Sequence, residues 1–125
     1  MYYKTFEDLP VWQKSRELVK NIFSLVENNK KLKTDYSLTD QLRRASYSMM
    51  LNIAEGFERG SNKDFAHFIT IAKSSAGEVR SILYILLDNN YINQQDFEAN
   101  KQKVIELSTN SHNFQKFLHI NHRKR

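Results

Sequence analysis

The chain has 125 residues, 40% of them hydrophobic, with one proline, three glycines, no cysteine and a formal net charge of +5. That length suits a single domain over 1–125 with one ordinary core. The missing cysteines exclude a disulfide framework, a thiolate metal site and a Cys nucleophile. Scarce glycine and proline disfavour a turn-rich β architecture and favour long helices. "MYYKTFEDLPVW" has no basic region followed by an apolar run, so no signal peptide is expected. The longest apolar runs fall far short of a membrane span. A cytoplasmic protein is the expectation, and the basic excess admits an acidic partner such as nucleic acid without requiring one.

The first predicted helix opens at "DLPVW", with Asp8 as its cap and Pro10 where a missing N–H does no harm, and runs to about Asn28. Its apolar residues, among them Val11, Trp12, Leu18, Ile22, Phe23 and Val26, cover an arc of roughly 160°. "NNKKLKTDY" then breaks the pattern. A second helix is predicted from "SLTD", where Ser37 and Asp40 have capping-box spacing, with Leu38, Leu42, Ala45, Met49, Ile53 and Phe57 on one face. Gly60 stands where a helix stops, because glycine adopts the left-handed conformation freely. Ser61, with Asp64, caps the third helix, which carries Phe65, Ile69, Ala72, Ala76, Leu83 and Leu87 and fades at "DNN". The fourth begins near Asn93, with Phe97, Val104, Leu107, Ser111, Phe114 and Leu118 at roughly heptad spacing. Short connections make neighbours antiparallel, so the predicted fold is all-α, an up-down-up-down four-helix bundle.

No chemistry-bearing constellation emerges. Gly56-x-x-x-Gly60 has the spacing of a membrane-helix dimer motif but encloses Glu58 and Arg59. A phosphate-binding loop needs GKS or GKT after a strand, and neither is present. A di-iron bundle needs Glu-x-x-His on two helices, and no Asp or Glu here has His three residues on. His112, His119 and His122 share the last helix and are read as solvated rather than as a metal site. Trp12 is read as core. No catalytic residue, metal, cofactor or small-molecule substrate is expected.

Three surface features remain. On the second helix Gln41, Arg44, Ser48, Asn52, Glu55 and Arg59 fall within roughly 80° of one another, bordering the apolar face. They form either a hydrogen-bonded seam or a solvated flank with i,i+4 pairs such as Glu55–Arg59. If the second and third helices are antiparallel about Gly60–Ser61, Arg44 stands level with Glu78 and Ser48 with Ser74. An Arg44–Glu78 ion pair within or between subunits is then expected. The third helix carries surplus apolar residues, Phe68, Ile71, Ile82 and Ile85 among them, as a candidate oligomer interface. Candidate phosphate-contacting cations are Lys30, Lys31 and Lys33 in the first loop, Arg43 on the second helix, and Arg59, Lys63, Arg123, Lys124 and Arg125 towards the opposite end. Such clusters also serve solubility, the reading favoured on the residues alone.

The stretch "QLRRASYSMMLNIAEGFERGSNKDFAHFITIAKSSAGEVRSILYILLDNNYI", with "FEDLPVWQKSREL" before it, resembles the four-helix-bundle proteins encoded in 23S rRNA intervening sequences. Its strongest pieces are Gln41-Leu42-Arg43-Arg44, Asn52-Ile53-Ala54-Glu55-Gly56 and Ala72 to Glu78. The resemblance implies a bundle that assembles into a homopentameric ring, with no known enzymatic activity. It also implies suspected nucleic-acid binding, a related bundle being the accessory protein of a reverse transcriptase. Members often carry proline just before "xNIAEG", where this chain has Met49-Met50-Leu51, so no kink is expected there. They also often read Gly-Ser where this chain has Ser74-Ser75, so the close backbone approach of such a glycine is not expected at Ser74. Two functions follow as expectations. One is an oligomeric module that binds RNA or DNA. The other is a protein-interaction scaffold or accessory subunit whose cations serve solubility alone.

Overall fold

The computed structural model describes residues 3–120. After a 3₁₀ turn at Phe6–Asp8, five helices follow among the described residues: α1 (Pro10–Glu27), α2 (Lys30–Thr34), α3 (Tyr36–Glu58), α4 (Asn62–Asp88) and α5 (Gln94–Ile120). The four long ones are the four predicted, and α2 is an addition. Backbone contacts join α1 to α3, α3 to α4, α4 to α5 and α5 back to α1. Diagonal pairs meet only through side chains, as in a square antiparallel bundle. None of the helices is long and apolar enough to cross a membrane.

The helix ends show which local signals hold. Asp8 does not cap α1: its carboxylate turns back to accept from Thr5 N and Oγ (3.3 and 3.1 Å), closing the 3₁₀ turn. Leu9 precedes α1 without a side-chain cap, and Pro10 starts it. The predicted break after α1 contains α2. Asn29 caps it, accepting from Leu32 N at 2.9 Å, and donates through Nδ2 to the Tyr91 carbonyl. Leu32 is its one buried residue. Five residues are too few to make a stable helix alone, so α2 exists because Leu32 is pressed into the core. Likewise α3 starts one residue before Ser37. Its cap is Asp35, which accepts from Leu38 N (3.3 Å) through one oxygen and from the Tyr91 hydroxyl (2.8 Å) through the other. Asp40, the supposed capping-box partner of Ser37, instead pairs with Arg44.

The Gly60–Ser61 corner forms as predicted. Gly60 has φ +86°, and Ser61 Oγ accepts from Asp64 N at 3.2 Å. At the far end of α4, Asn90 takes the left-handed conformation (φ 59°). Tyr91 N then donates to Leu86 O (2.8 Å) and Asn90 N to Leu87 O (3.1 Å), a Schellman closure using asparagine in place of glycine. Asn93 Oδ1 accepts from Asp96 N to cap α5.

The core forms two clusters stacked along the bundle. One, at the α2 end, gathers Ile22, Leu32, Leu42, Leu83, Phe97 and Leu107. The other, near the α3–α4 corner, gathers Trp12, Ile53, Phe65, Ile69 and Leu118. Trp12 is core, as read from the sequence. α3 runs unbroken through Met49-Met50-Leu51, with no kink-forming proline. The buried hydroxyls of Ser15 and Ser46 donate to carbonyls of their own helices, those of Trp12 and Arg43, and Thr39 donates to the Leu32 carbonyl of α2, so their burial leaves these donors satisfied.

Candidate nucleic-acid interface and oligomer face

Along the α3–α4 crossing, the polar stripe divides into a seam and a flank. Ser48 and Ser75 share a 2.9 Å hydroxyl hydrogen bond, and Asn52 Nδ2 donates to the Ser48 carbonyl (2.8 Å) and hydroxyl (3.1 Å). The register is one residue from the expected Ser48–Ser74 level. Ser74 faces solvent and bonds back to Thr70 O. Arg44 and Glu78 do not pair within the chain. Arg44 Nε lies 3.0 Å from Asp40, one turn back on the same helix, while Gln41 reaches Glu78 at 3.4 Å. The reason is local: an i,i+4 acid is available at no cost in backbone placement, whereas Glu78 lies across the groove. Arg59 pairs with Glu55 in the same way (3.4 Å). Both i,i+4 pairs are well exposed and contribute at most about 1 kcal/mol each.

What brings α3 and α4 so close is Gly56. A Cβ there would stand 2.7 Å from Phe68 Cβ and 2.8 Å from Phe65 Cδ1. The glycine of "NIAEG" is thus a helix-crossing point inside the chain. No residue pattern in α3 alone reveals this, because the obstacle belongs to α4.

The surplus apolar residues of α4 separate by position. Ile82 is only 3% exposed and belongs to the chain's own core, so it is removed from the candidate oligomer face. The sequence wheel places it at the margin of the core arc, and it packs into the cluster at the α2 end. Ile85 is 43% exposed, and Phe68 and Ile71 are half-buried. Arg59 stacks over the Phe68 ring at 4.8 Å. Across the groove Leu51, absent from the sequence-derived set, is 58% exposed and lines a shallow hollow with Asn52, Glu55, Glu58 and Phe68. Its signal was available: it lies well off the α3 core face.

The candidate cations do not converge on one surface. Lys30, Lys31 and Lys33 project from α2; Lys33 pairs with Glu27 at 3.1 Å, and the other two have no carboxylate partner among the described residues. Arg59 and Lys63 flank the α3–α4 corner, roughly 34 Å away along 23-residue α3. Arg43 lies between, half-buried, its guanidinium 5.2 Å above the Phe23 ring. Arg123, Lys124, Arg125 and His122 lie outside the described residues.

Elsewhere the titratable groups serve structure. Hydrogen bonding to the Asp35 carboxylate raises the Tyr91 phenol above its ordinary pKa. The Lys14 ammonium, 2.9 Å away, lowers that of Glu106. Lys73 bridges His112 Nδ1 and Gln115 Oε1 at 3.2 Å each. Among the described residues no three His, Asp or Glu side chains are grouped to hold a metal ion.

The comparisons with known proteins agree with this architecture. No curated protein matches the chain. Among solved structures, a protein of unknown function from the S23 ribosomal protein family of Bacteroides thetaiotaomicron is similar in fold. Its TM-score is 0.76 at 24% identity, over 85% of this chain and 98% of that one. The family model for the 23S rRNA-intervening sequence protein matches residues 7–113, spanning α1 to most of α5. The chain therefore belongs to the 23S rRNA-intervening sequence protein family.

Proposed function

We propose that the chain is a non-enzymatic, self-associating helical-bundle module of the cytoplasm that holds RNA or DNA on basic surfaces. The observation that carries this reading is α2. One buried leucine anchors a five-residue helix that displays three lysines, two of them without an acid partner among the described residues. A cationic projection of that kind suits phosphates, whose binding releases counterions and is therefore salt-dependent. For self-association, exposed Leu51 beside half-buried Phe68, with half-buried Ile71 and, about 21 Å further along α4, exposed Ile85, supply apolar surface. The family resemblance favours a closed pentamer.

The test is retention of short RNA and DNA across a salt series. Replacing Lys30, Lys31 and Lys33 with glutamine should weaken binding to all sequences alike and flatten the salt dependence by about two to three in slope. Replacing Arg59, Lys63 and Arg123-Lys124-Arg125 should do the same from the other end. If the wild type retains neither RNA nor DNA at low salt, the nucleic-acid reading fails. The second reading then stands: a protein-interaction scaffold or accessory subunit, which the exposed Leu51 and Ile85 favour.

A further inference from the structure

The lateral faces of the bundle treat their cations differently. Between α1 and α5, Lys14 pairs with Glu106 (2.9 Å) and Lys103 with Glu17 (3.6 Å). On the flank of α3 turned towards α4, Arg44 and Arg59 are met by Asp40 and Glu55. Between α1 and α3, Arg16, Lys20 and Arg43 have no carboxylate partner among the described residues, and on the α4–α5 side Lys101, over Tyr84 and Phe97, has none either. The two arginines have aromatic contacts: Arg43 lies 5.2 Å over Phe23 and Arg16 5.8 Å over Trp12. The acids at the edge of this face, Asp40 and Glu27, are already engaged by Arg44 and Lys33. Arg43 Nε is itself buried with no hydrogen-bond partner, so an acceptor from outside would meet the exposed part of the guanidinium.

The same face displays rings. Phe23 is 39% exposed and Tyr47, one turn beyond Arg43 on α3, is 38% exposed. Tyr36, 81% exposed, stands on the same side of α3 at the α2 end. Exposed aromatics alternating with unneutralised cations along a helix pair match what single-stranded nucleic acid needs: faces for unpaired bases and charges for the backbone. A duplex keeps its base faces stacked inside and would use only the charges.

We infer that the α1–α3 face is a single-strand track, on which Phe23 and Tyr47 stack bases while Arg16, Lys20 and Arg43 hold phosphates. The inference rests on the nucleic-acid reading above and moves its centre from the bundle ends to its side. The track covers about 16 Å along α1 from Arg16 to Glu27, room for a site at the short end of the known range, about four nucleotides. At the α2 end it runs towards Lys30 and Lys31, which extend the phosphate path.

The test is fluorescence anisotropy with a labelled 12-nucleotide oligo(U) and a 12-base-pair duplex, read at several salt concentrations. Variants are Phe23→Leu, Tyr47→Leu and the triple Arg16→Gln/Lys20→Gln/Arg43→Gln. The leucine variants retain apolar bulk, so the bundle keeps its packing while losing the flat faces. Light scattering and thermal unfolding accompany every variant. The expected result is tighter binding to oligo(U) than to duplex. Each leucine variant loses about tenfold in oligo(U) affinity with its duplex affinity unchanged, and the triple variant flattens the salt slope. Oligo(U) affinity within twofold of wild type in both leucine variants overturns the inference. So does loss of binding only on replacing Lys30, Lys31 and Lys33, a result that leaves the nucleic-acid reading intact. A wild type that binds neither probe at low salt overturns both. A fall in assembled mass on either leucine substitution identifies the face as a contact between copies and overturns the track.

Discussion

Gly56→Ala isolates the contact that sets the α3–α4 distance. The new methyl would sit 2.7 Å from Phe68 Cβ, 2.8 Å from Phe65 Cδ1 and 3.4 Å from Phe65 Cα. The Phe68 atom is bound directly to the backbone and cannot rotate away. The Phe65 ring is held edge-on between Phe57 (6.0 Å) and Phe114 (5.2 Å). Relief therefore requires α4 to shift against α3, which also stretches the Ser48–Ser75 bond. Overpacking of this kind costs about 1–3 kcal/mol, while the better helix propensity of alanine returns about 1 kcal/mol. The expected net loss is up to about 2 kcal/mol, a fall in Tm of up to about 8 °C. Gly77→Ala is the matched control. Nothing lies within 4 Å of its built Cβ, and it lies round α4 from Ile71 and Ile85, so only the propensity gain applies and Tm should rise. Chemical and thermal denaturation of the two variants measure the difference. If Gly56→Ala gains as much stability as Gly77→Ala, the close crossing is not what requires glycine at position 56, and the reasoning fails.

Asp35→Ala should destabilise by about 1 kcal/mol through the lost α3 cap, and further through the lost Tyr91 bond; Tyr91→Phe removes the second contact alone and should lower Tm less. Because the fold raises the Tyr91 pKa, its contribution is fully present below the unfolded phenol pKa and disappears as pH rises through the folded value. The wild type should therefore lose stability relative to Tyr91→Phe only in alkaline denaturation series, and parallel curves throughout would refute the link. Ile85→Asp, at a position exposed in the single chain, should leave helicity unchanged and reduce the mass seen by light scattering; an unchanged assembled mass removes Ile85 from the interface.

Much of the architecture is written locally. The Gly60–Ser61 corner needs only a residue free to take positive φ and a hydroxyl three residues before an N–H, so the sequence alone determined it. The long helices follow equally from apolar spacing, and a family model spanning residues 7–113 finds enough of this pattern to assign the chain. Other features depend on partners distant in sequence. Five residues with one leucine carry no periodicity, and α2 forms because Leu32 meets the core and Asn29 meets Tyr91. Asp35 rather than Ser37 caps α3 while also holding the Tyr91 hydroxyl, a residue 56 positions on. Ile82 lies at the margin of the core arc on a wheel and Ile85 further round, and only the packing of the neighbouring helices decides that the margin is buried while Ile85 is exposed. The pairing of Arg43 with Phe23 across α1 and α3 is likewise invisible in either helix alone, because a cation's neighbours are set by packing between helices rather than by spacing within one.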